Sequence, residues 1–185
     1  MNDVNLATLL DDMFSRSIHM AIQDSNNRDS FSVNSAKSFK KRTSEEAIFL
    51  TISSHRFRLF VVIDFTQNQC SEFVKLATQS KSDAITEQEF YDYMFEFGNG
   101  LCGIFKREIG KAIPALGMST PNLLSRDSIN LMTSYSINKK AHYQISINDK
   151  ILFYSSFYFL PSSHQDILVS LVEEDTSDTG ELELF

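Results

Sequence analysis

Cysteine, clustered positive charge and long apolar runs are all scarce in this sequence, and each scarcity removes a class of function. Cys70 and Cys102 are the only cysteines. Neither sits in a CxxC or Cys/His spacing, so the sequence indicates no zinc site and no disulfide framework. Both fall on segments that read as apolar helix faces, where a free thiol packs as a small hydrophobe. No stretch approaches the ~18–20 apolar residues that cross a bilayer. The opening MNDVNLATLLDDMF carries acidic residues and no basic n-region, so no secretory signal is expected and the cytoplasm is the simplest address. Net charge is -7 with pI about 5.0, which argues against a nucleic-acid partner because phosphate backbones demand clustered Lys and Arg. The basic run Lys37, Lys40, Lys41 and Arg42 reads as a solvated loop. His19, His55, His142 and His164 are scattered without triad context, and no glycine-rich loop follows a strand, so neither a nucleophilic triad nor a nucleotide site is indicated.

Apolar side chains are abundant. They make up 42% of the chain and include 16 Phe, enough to offset the entropy lost on folding. The length suits one domain, expected over 1–172, followed by an acidic stretch, EEDTSDTGELELF (173–185), that has no core pattern and is expected to be a flexible tail.

Apolar positions from Val4 to Ala21 keep helical spacing and predict a first helix over 4–22, followed by a polar loop at 23–30 and a weak strand near 31–39. AIFLTIS (47–53) and RFRLFVVIDF (56–65) are rich in β-branched and aromatic residues and predict two strands joined at Ser54 and His55. Cys70, Phe73, Val74 and Ala77 predict a second helix over 66–79. Thr86 and Glu89 form a capping-box pattern with Ile85 and Phe90 as a staple, opening a third helix that runs to about Ala112 and stops before Pro114. Strands are then predicted over 128–137, 142–147 and 151–160, the last two joined by a turn at Asn148, Asp149 and Lys150. DILVSLV (166–172) reads as an edge strand. The order predicts an α+β fold of two similar halves around an antiparallel sheet packed against long helices.

The third helix has two faces. Phe90, Met94, Phe97, Leu101, Phe105 and Ala112 share one side, while Asp92, Glu96, Asn99, Gly103 and Gly110 share the other. A polar stripe on a helix is ordinarily plain solvated surface. Here the helix also carries Gly98, Gly100, Gly103 and Gly110, each costing about 0.5–1 kcal/mol relative to Ala. Three of them lie on or beside the stripe, where missing side chains would let another surface approach. Asn99 is a poor helix former near the helix centre, and its carboxamide offers one acceptor and two donors that can hold a water. Glu96 is its neighbour three residues earlier and could pair with a partner's lysine.

At these residues the sequence resembles the CheC/CheX family of chemotaxis phosphatases, whose pattern is Asp or Ser, three residues, Glu, two residues, Asn, then a proline a little over twenty residues on. Here the match is Asp92-Tyr-Met-Phe-Glu96-Phe-Gly-Asn99, then Pro121 in GMSTPNLL at a slightly shorter spacing, with the strongest likeness over about 85–125. The first helix offers Asp12, Arg16 and His19 in the corresponding register, so only one copy of the motif is intact, as in CheX. The resemblance implies a CheC/CheX-like fold, a homodimer and hydrolysis of an aspartyl phosphate on a CheY-like receiver in two-component signalling. It also implies no cofactor of the chain's own, because the Mg2+ belongs to the receiver. On that likeness Asn99 orients the attacking water, Glu96 binds the receiver's active-site lysine, and Asp92, Gly103 and Pro121 support the motif and its docking face. The alternative is a noncatalytic module that uses the same helix to sense or sequester a receiver.

Overall fold

The structure is a computed structural model and describes residues 3–26, 31–36, 45–79, 84–134, 137–163 and 166–170. Two central strands carry the molecule because their sequences are apolar on both sides. In β4 (Phe57–Phe65), Phe57, Leu59, Val61, Ile63 and Phe65 point into the main core, while Val62 points the other way into a smaller cluster. Burial on both faces is why RLFVVIDF reads as a near-continuous apolar run. β4 pairs antiparallel with β3 (Glu46–Ser53) through the expected hairpin, Ile48 opposite Ile63, and with β8 (Lys150–Pro161), Val61 opposite Phe157.

β8 in turn pairs with β7 (Lys139–Ile147) across a two-residue turn. Asn148 and Asp149 there hold φ of 48° and 64°. A tight hairpin matched to strand twist needs positive φ at both central residues, and Asn and Asp accept it better than most side chains. β2 (Phe31–Ser35) flanks β7, while β5 (Gly117–Met118) and β6 (Asn122–Ser125) both pair with β3. The order β2–β7–β8–β4–β3–β5, with β6 also on β3, is a palindrome about the β8–β4 seam. Each half donates its outer strand to the other half's sheet, which is the internal likeness expected from the order of elements.

Three helices cover one face: α1 (Leu6–Asn26), α2 (Gln67–Thr78) and α3 (Glu87–Gly110). α1 and α3 run antiparallel. Phe14 stacks on Phe105 with ring centroids 4.9 Å apart, Arg16 reaches Glu108 at 3.3 Å, and Ala21 lies beside Gly100 and Leu101. α2 inserts Phe73 between Phe97 and Phe153, at 5.2 and 5.1 Å. Cys70 and Cys102 are both buried and free; burial pushes the Cys102 thiol up to about 12 and that of Cys70 higher still. No helix among the described residues is long and apolar enough to cross a membrane.

The structure corrects the sequence reading in several places. The strand expected over 128–137 is α4 (Arg126–Met132), with the β7 strand beginning only at Lys139. Ser125 caps α4 by accepting from Ser128 N at 3.3 Å, and Ile129 and Met132, three residues apart, pack onto the back of the sheet beside Val62 and Tyr158. Helical spacing was present, and the β-branched residues hid it. α1 starts at Leu6, because residues Asp3–Asn5 form β1 and Asn5 Oδ1 accepts from Ala7 N; it continues to Asn26, beyond the expected 22. The expected edge strand at 166–172 is β9 (Leu168–Ser170), which pairs with β1 and not with the main sheet. The strand near 31–39 stops at Ser35, and the GMSTPN loop contains β5. The basic run at 37–42 and the acidic stretch 173–185 lie outside the described residues.

Candidate functional site

Local sequence makes α3 a stiff platform. The Thr86 side chain accepts from Glu89 N at 3.2 Å, and the Glu89 carboxylate accepts from Thr86 N at 2.9 Å and from its hydroxyl at 2.7 Å. Those bonds hold the Glu89 carboxyl below its ordinary value. The apolar spacing then fixes the helix onto the core. Phe90, Met94, Leu101 and Phe105 are fully buried, and Phe97 is nearly so.

Gly98 has a role that sequence reasoning missed. A Cβ built there would lie 3.3 Å from Ile48 Cγ2 and from Ile63 Cδ1, so the helix backbone rests directly on β3 and β4. Nothing lies within 4 Å of the corresponding position at Gly100, Gly103 or Gly110. Those three open outward, as expected from their place on or beside the stripe.

Asp92 and Glu96 are exposed and Asn99 is half-buried on the same outward side. Among the described residues no side chain takes up the Glu96 carboxylate or the Asn99 carboxamide in a hydrogen bond or ion pair. Both are therefore available to an external group. Gly103 continues the stripe one turn on, and Gly100 leaves a hollow of about 200 Å³ beside Glu96, closed by Ala21 and Tyr93. Pro121 is half-buried between β5, which touches α3, and β6, which pairs with the neighbouring β3. In α1, Arg16 pairs with Asp12 and reaches Glu108 of α3, so it links the two helices.

A second feature lay hidden because its two walls come from either side of a chain reversal. Lys106, Arg107 and Lys111 line an open groove of about 730 Å³ between the last turns of α3 and the segment 113–116. Lys106, Arg107 and Lys111 gather at the end of one helix, and the chain reversal after it brings the apolar segment 113–116 opposite them.

No protein-family model matches this sequence, and no curated protein matches it. Solved structures do. CheX from Borrelia burgdorferi, in a complex described as CheX-CheY-BeF3-Mg+2, is similar with a TM-score of 0.64 at 12% identity, over 82% of this chain and 97% of that one. A CheC-like superfamily protein from Shewanella sp. PV-4 gives 0.62 at 15% identity, over 84% and 99%. CheX from Vibrio vulnificus gives 0.59 at 13% identity, over 81% and 98%. The palindromic antiparallel sheet under long helices defines the α+β class. Within that class, the chain has the CheC/CheX fold.

Proposed function

We propose that this protein is a phosphatase that accelerates hydrolysis of the aspartyl phosphate of a CheY-like receiver domain in two-component or chemotaxis signalling. The observation that carries the reading is the pair Glu96 and Asn99, three residues apart on the outward side of a capped, tightly packed helix, with no internal partner for either side chain among the described residues. The fold shared with CheX proteins, one of them solved with CheY, supports the same reading.

The proposed chemistry needs positioning more than proton transfer. Phosphoryl transfer has a loose, in-line transition state, so catalysis consists largely of placing the water and stabilising charge. Asn99 is to hold the attacking water in line with phosphorus. Glu96, one turn away, is to pair with the receiver's lysine and set the register of docking. Asp92, Gly103 and Pro121 shape the face and its approach. Mg2+ is supplied by the receiver, and this chain brings no cofactor of its own to the reaction. A cytoplasmic homodimer is part of the same proposal.

The test is phosphate release from a panel of phosphorylated receivers. Asn99→Ala is expected to slow the accelerated rate by about 100-fold, the scale of losing one positioned reactant, while receiver binding persists. An unchanged rate in a variant that still binds refutes the mechanism. Tight binding with no acceleration by the unmodified protein identifies a noncatalytic receiver-binding module instead.

A further inference from the structure

The polar stripe of α3 does not end at Gly103. At about 100° per residue, Lys106 and Arg107 fall within roughly 50° of the direction shared by Asp92, Glu96 and Asn99, on the outward side of the helix. That side is acidic at Asp92 and Glu96, neutral at Asn99, Gly100 and Gly103, and basic at its end. The basic end is also one wall of the groove of about 730 Å³ whose other wall is the segment 113–116.

A cation in the last turn complements the helix dipole, which accounts for Arg107 by itself. It does not account for the wall opposite. After the helix the chain reverses with Ala115 at φ 61°, a left-handed conformation that strains a residue carrying a Cβ, and the reversal brings the half-buried Leu116 to the groove. Gly103 and Gly110 leave the helix wall flat, with nothing within 4 Å of a Cβ built at either. No acid and no aromatic residue among the described residues lines the groove. Lys111 already meets Glu108 at 3.3 Å, and Arg16 draws on the same carboxylate. Lys106 and Arg107 meet no acid among the described residues and so carry most of the groove's field.

This combination selects the occupant. A nucleic-acid strand needs a long basic track and aromatic faces for its bases, and a chain of net charge -7 with no aromatic residue in the groove offers neither. A small anion needs donors that close around it, whereas Arg107 and Lys111 are exposed on the wall of an open groove. A protein segment that carries carboxylates beside an apolar side chain matches both walls, its acids on Lys106 and Arg107 and its apolar group on Leu116.

We propose that this groove takes an acidic segment, with an apolar side chain beside its carboxylates, from the partner that docks on the stripe. On the phosphatase reading, on which this placement rests, that partner is the receiver. Lys106 lies about 10 Å beyond Asn99 along the helix, so the segment flanks the phosphoryl group. With a lysine on Glu96 and carboxylates on Lys106 and Arg107, the partner lies along α3 in one direction only, because the reversed orientation brings like charges together at both ends. The groove thus selects among receivers by charge.

The experiment titrates the full isotope-labelled chain at low salt with a synthetic peptide of Glu and Asp interrupted by Leu and Phe. Amide signals of Lys106, Arg107, Gly110 and Leu116 should shift. Binding should weaken about 10-fold in Lys106→Gln/Arg107→Gln, the scale of losing two exposed ion pairs, and further in Lys106→Glu/Arg107→Glu, with circular dichroism matching the parent in both. No shift, or binding indifferent to both variants, overturns the proposal. So does equal binding of the same peptide with Ser in place of Leu and Phe, or of a single-stranded oligonucleotide of equal charge, because either shows a groove that holds any polyanion. In a second arm, receivers whose phosphate release the protein accelerates should associate about 10-fold more slowly with Lys106→Glu/Arg107→Glu at low salt; an unchanged association rate overturns the assignment of the groove to the partner on the stripe. The peptide arm involves no phosphate release, so failure of the groove and failure of the phosphatase reading are seen separately.

Discussion

Replacing Gly100 and Gly103 together by Ala should make the protein more stable, and the structure sets the size of the gain. No glycine in the chain adopts positive φ among the described residues, so an Ala fits the helical backbone at either position. A Cβ at either meets nothing within 4 Å, so there is no packing cost. What remains is the intrinsic difference between Gly and Ala inside a helix, about 0.5–1 kcal/mol each, or about 1–2 kcal/mol for the pair. With an unfolding entropy near 2.1 cal/mol/K per residue, that raises Tm by about 3–5 °C. Gly98→Leu is the internal contrast. Its side chain must enter space where a Cβ alone already lies 3.3 Å from Ile48 and Ile63, and overpacking of this kind costs about 1–3 kcal/mol. Thermal unfolding followed by far-UV circular dichroism distinguishes the two. A fall in Tm for Gly100→Ala/Gly103→Ala would refute the claim that these positions face open space, and with it the explanation of why a helix tolerates them. A stabilised helix that still binds its partner poorly when Gly103 is made bulky would tie the missing side chains to docking.

Behind the sheet, Arg126 of α4 is paired with Asp64 of β4, with side-chain exposures of 13% and 8%. Arg126→Met leaves a buried carboxylate without its cation and should cost about 3–5 kcal/mol in chemical denaturation, whereas Asp64→Leu/Arg126→Met should recover most of it; a single variant as stable as the double would contradict the pairing. At the start of α3, Glu89 has its carboxyl held low by Thr86, so its share of helix stability is present above the unfolded pKa and is lost as pH falls through the lower folded value. Carboxyl titration by NMR should find Glu89 below an ordinary glutamate and should move it part of the way back in Thr86→Ala, which removes the hydroxyl donor and keeps the backbone N–H; no movement would dismiss the hydroxyl as a cause.

Local patterns carried a large part of the fold. The capping box at Thr86 and Glu89, the apolar spacing from Phe90 to Phe105 and the turn at Asn148–Asp149 all involve residues a few positions apart, and periodicity reports such contacts directly. For the same reason helical spacing alone placed Asp92, Glu96 and Asn99 on one outward face, and the glycines around them read as an opening. Where two local readings competed, as over 128–137, β-branched composition suggested a strand and the Ser125 cap with Ile129 against the back of the sheet made a helix.

Contacts between distant residues had no such signature. The seat of Gly98 on Ile48 and Ile63, the pairing of β9 with β1, the Asp64–Arg126 ion pair and the gathering of Lys106, Arg107 and Lys111 against Leu116 each join segments whose spacing in the chain carries no period. A stiff helix with Glu96 and Asn99 on one side follows from the order of residues, because 3.6 residues per turn and a reciprocal cap suffice for that. Long-range packing set the rest: this helix lies directly on the sheet, Arg16 of α1 reaches across to Glu108 of α3, and a basic groove opens at its end. Those outcomes depend on which strands pair and how closely two backbones approach, and neither quantity is written in the spacing of any one segment.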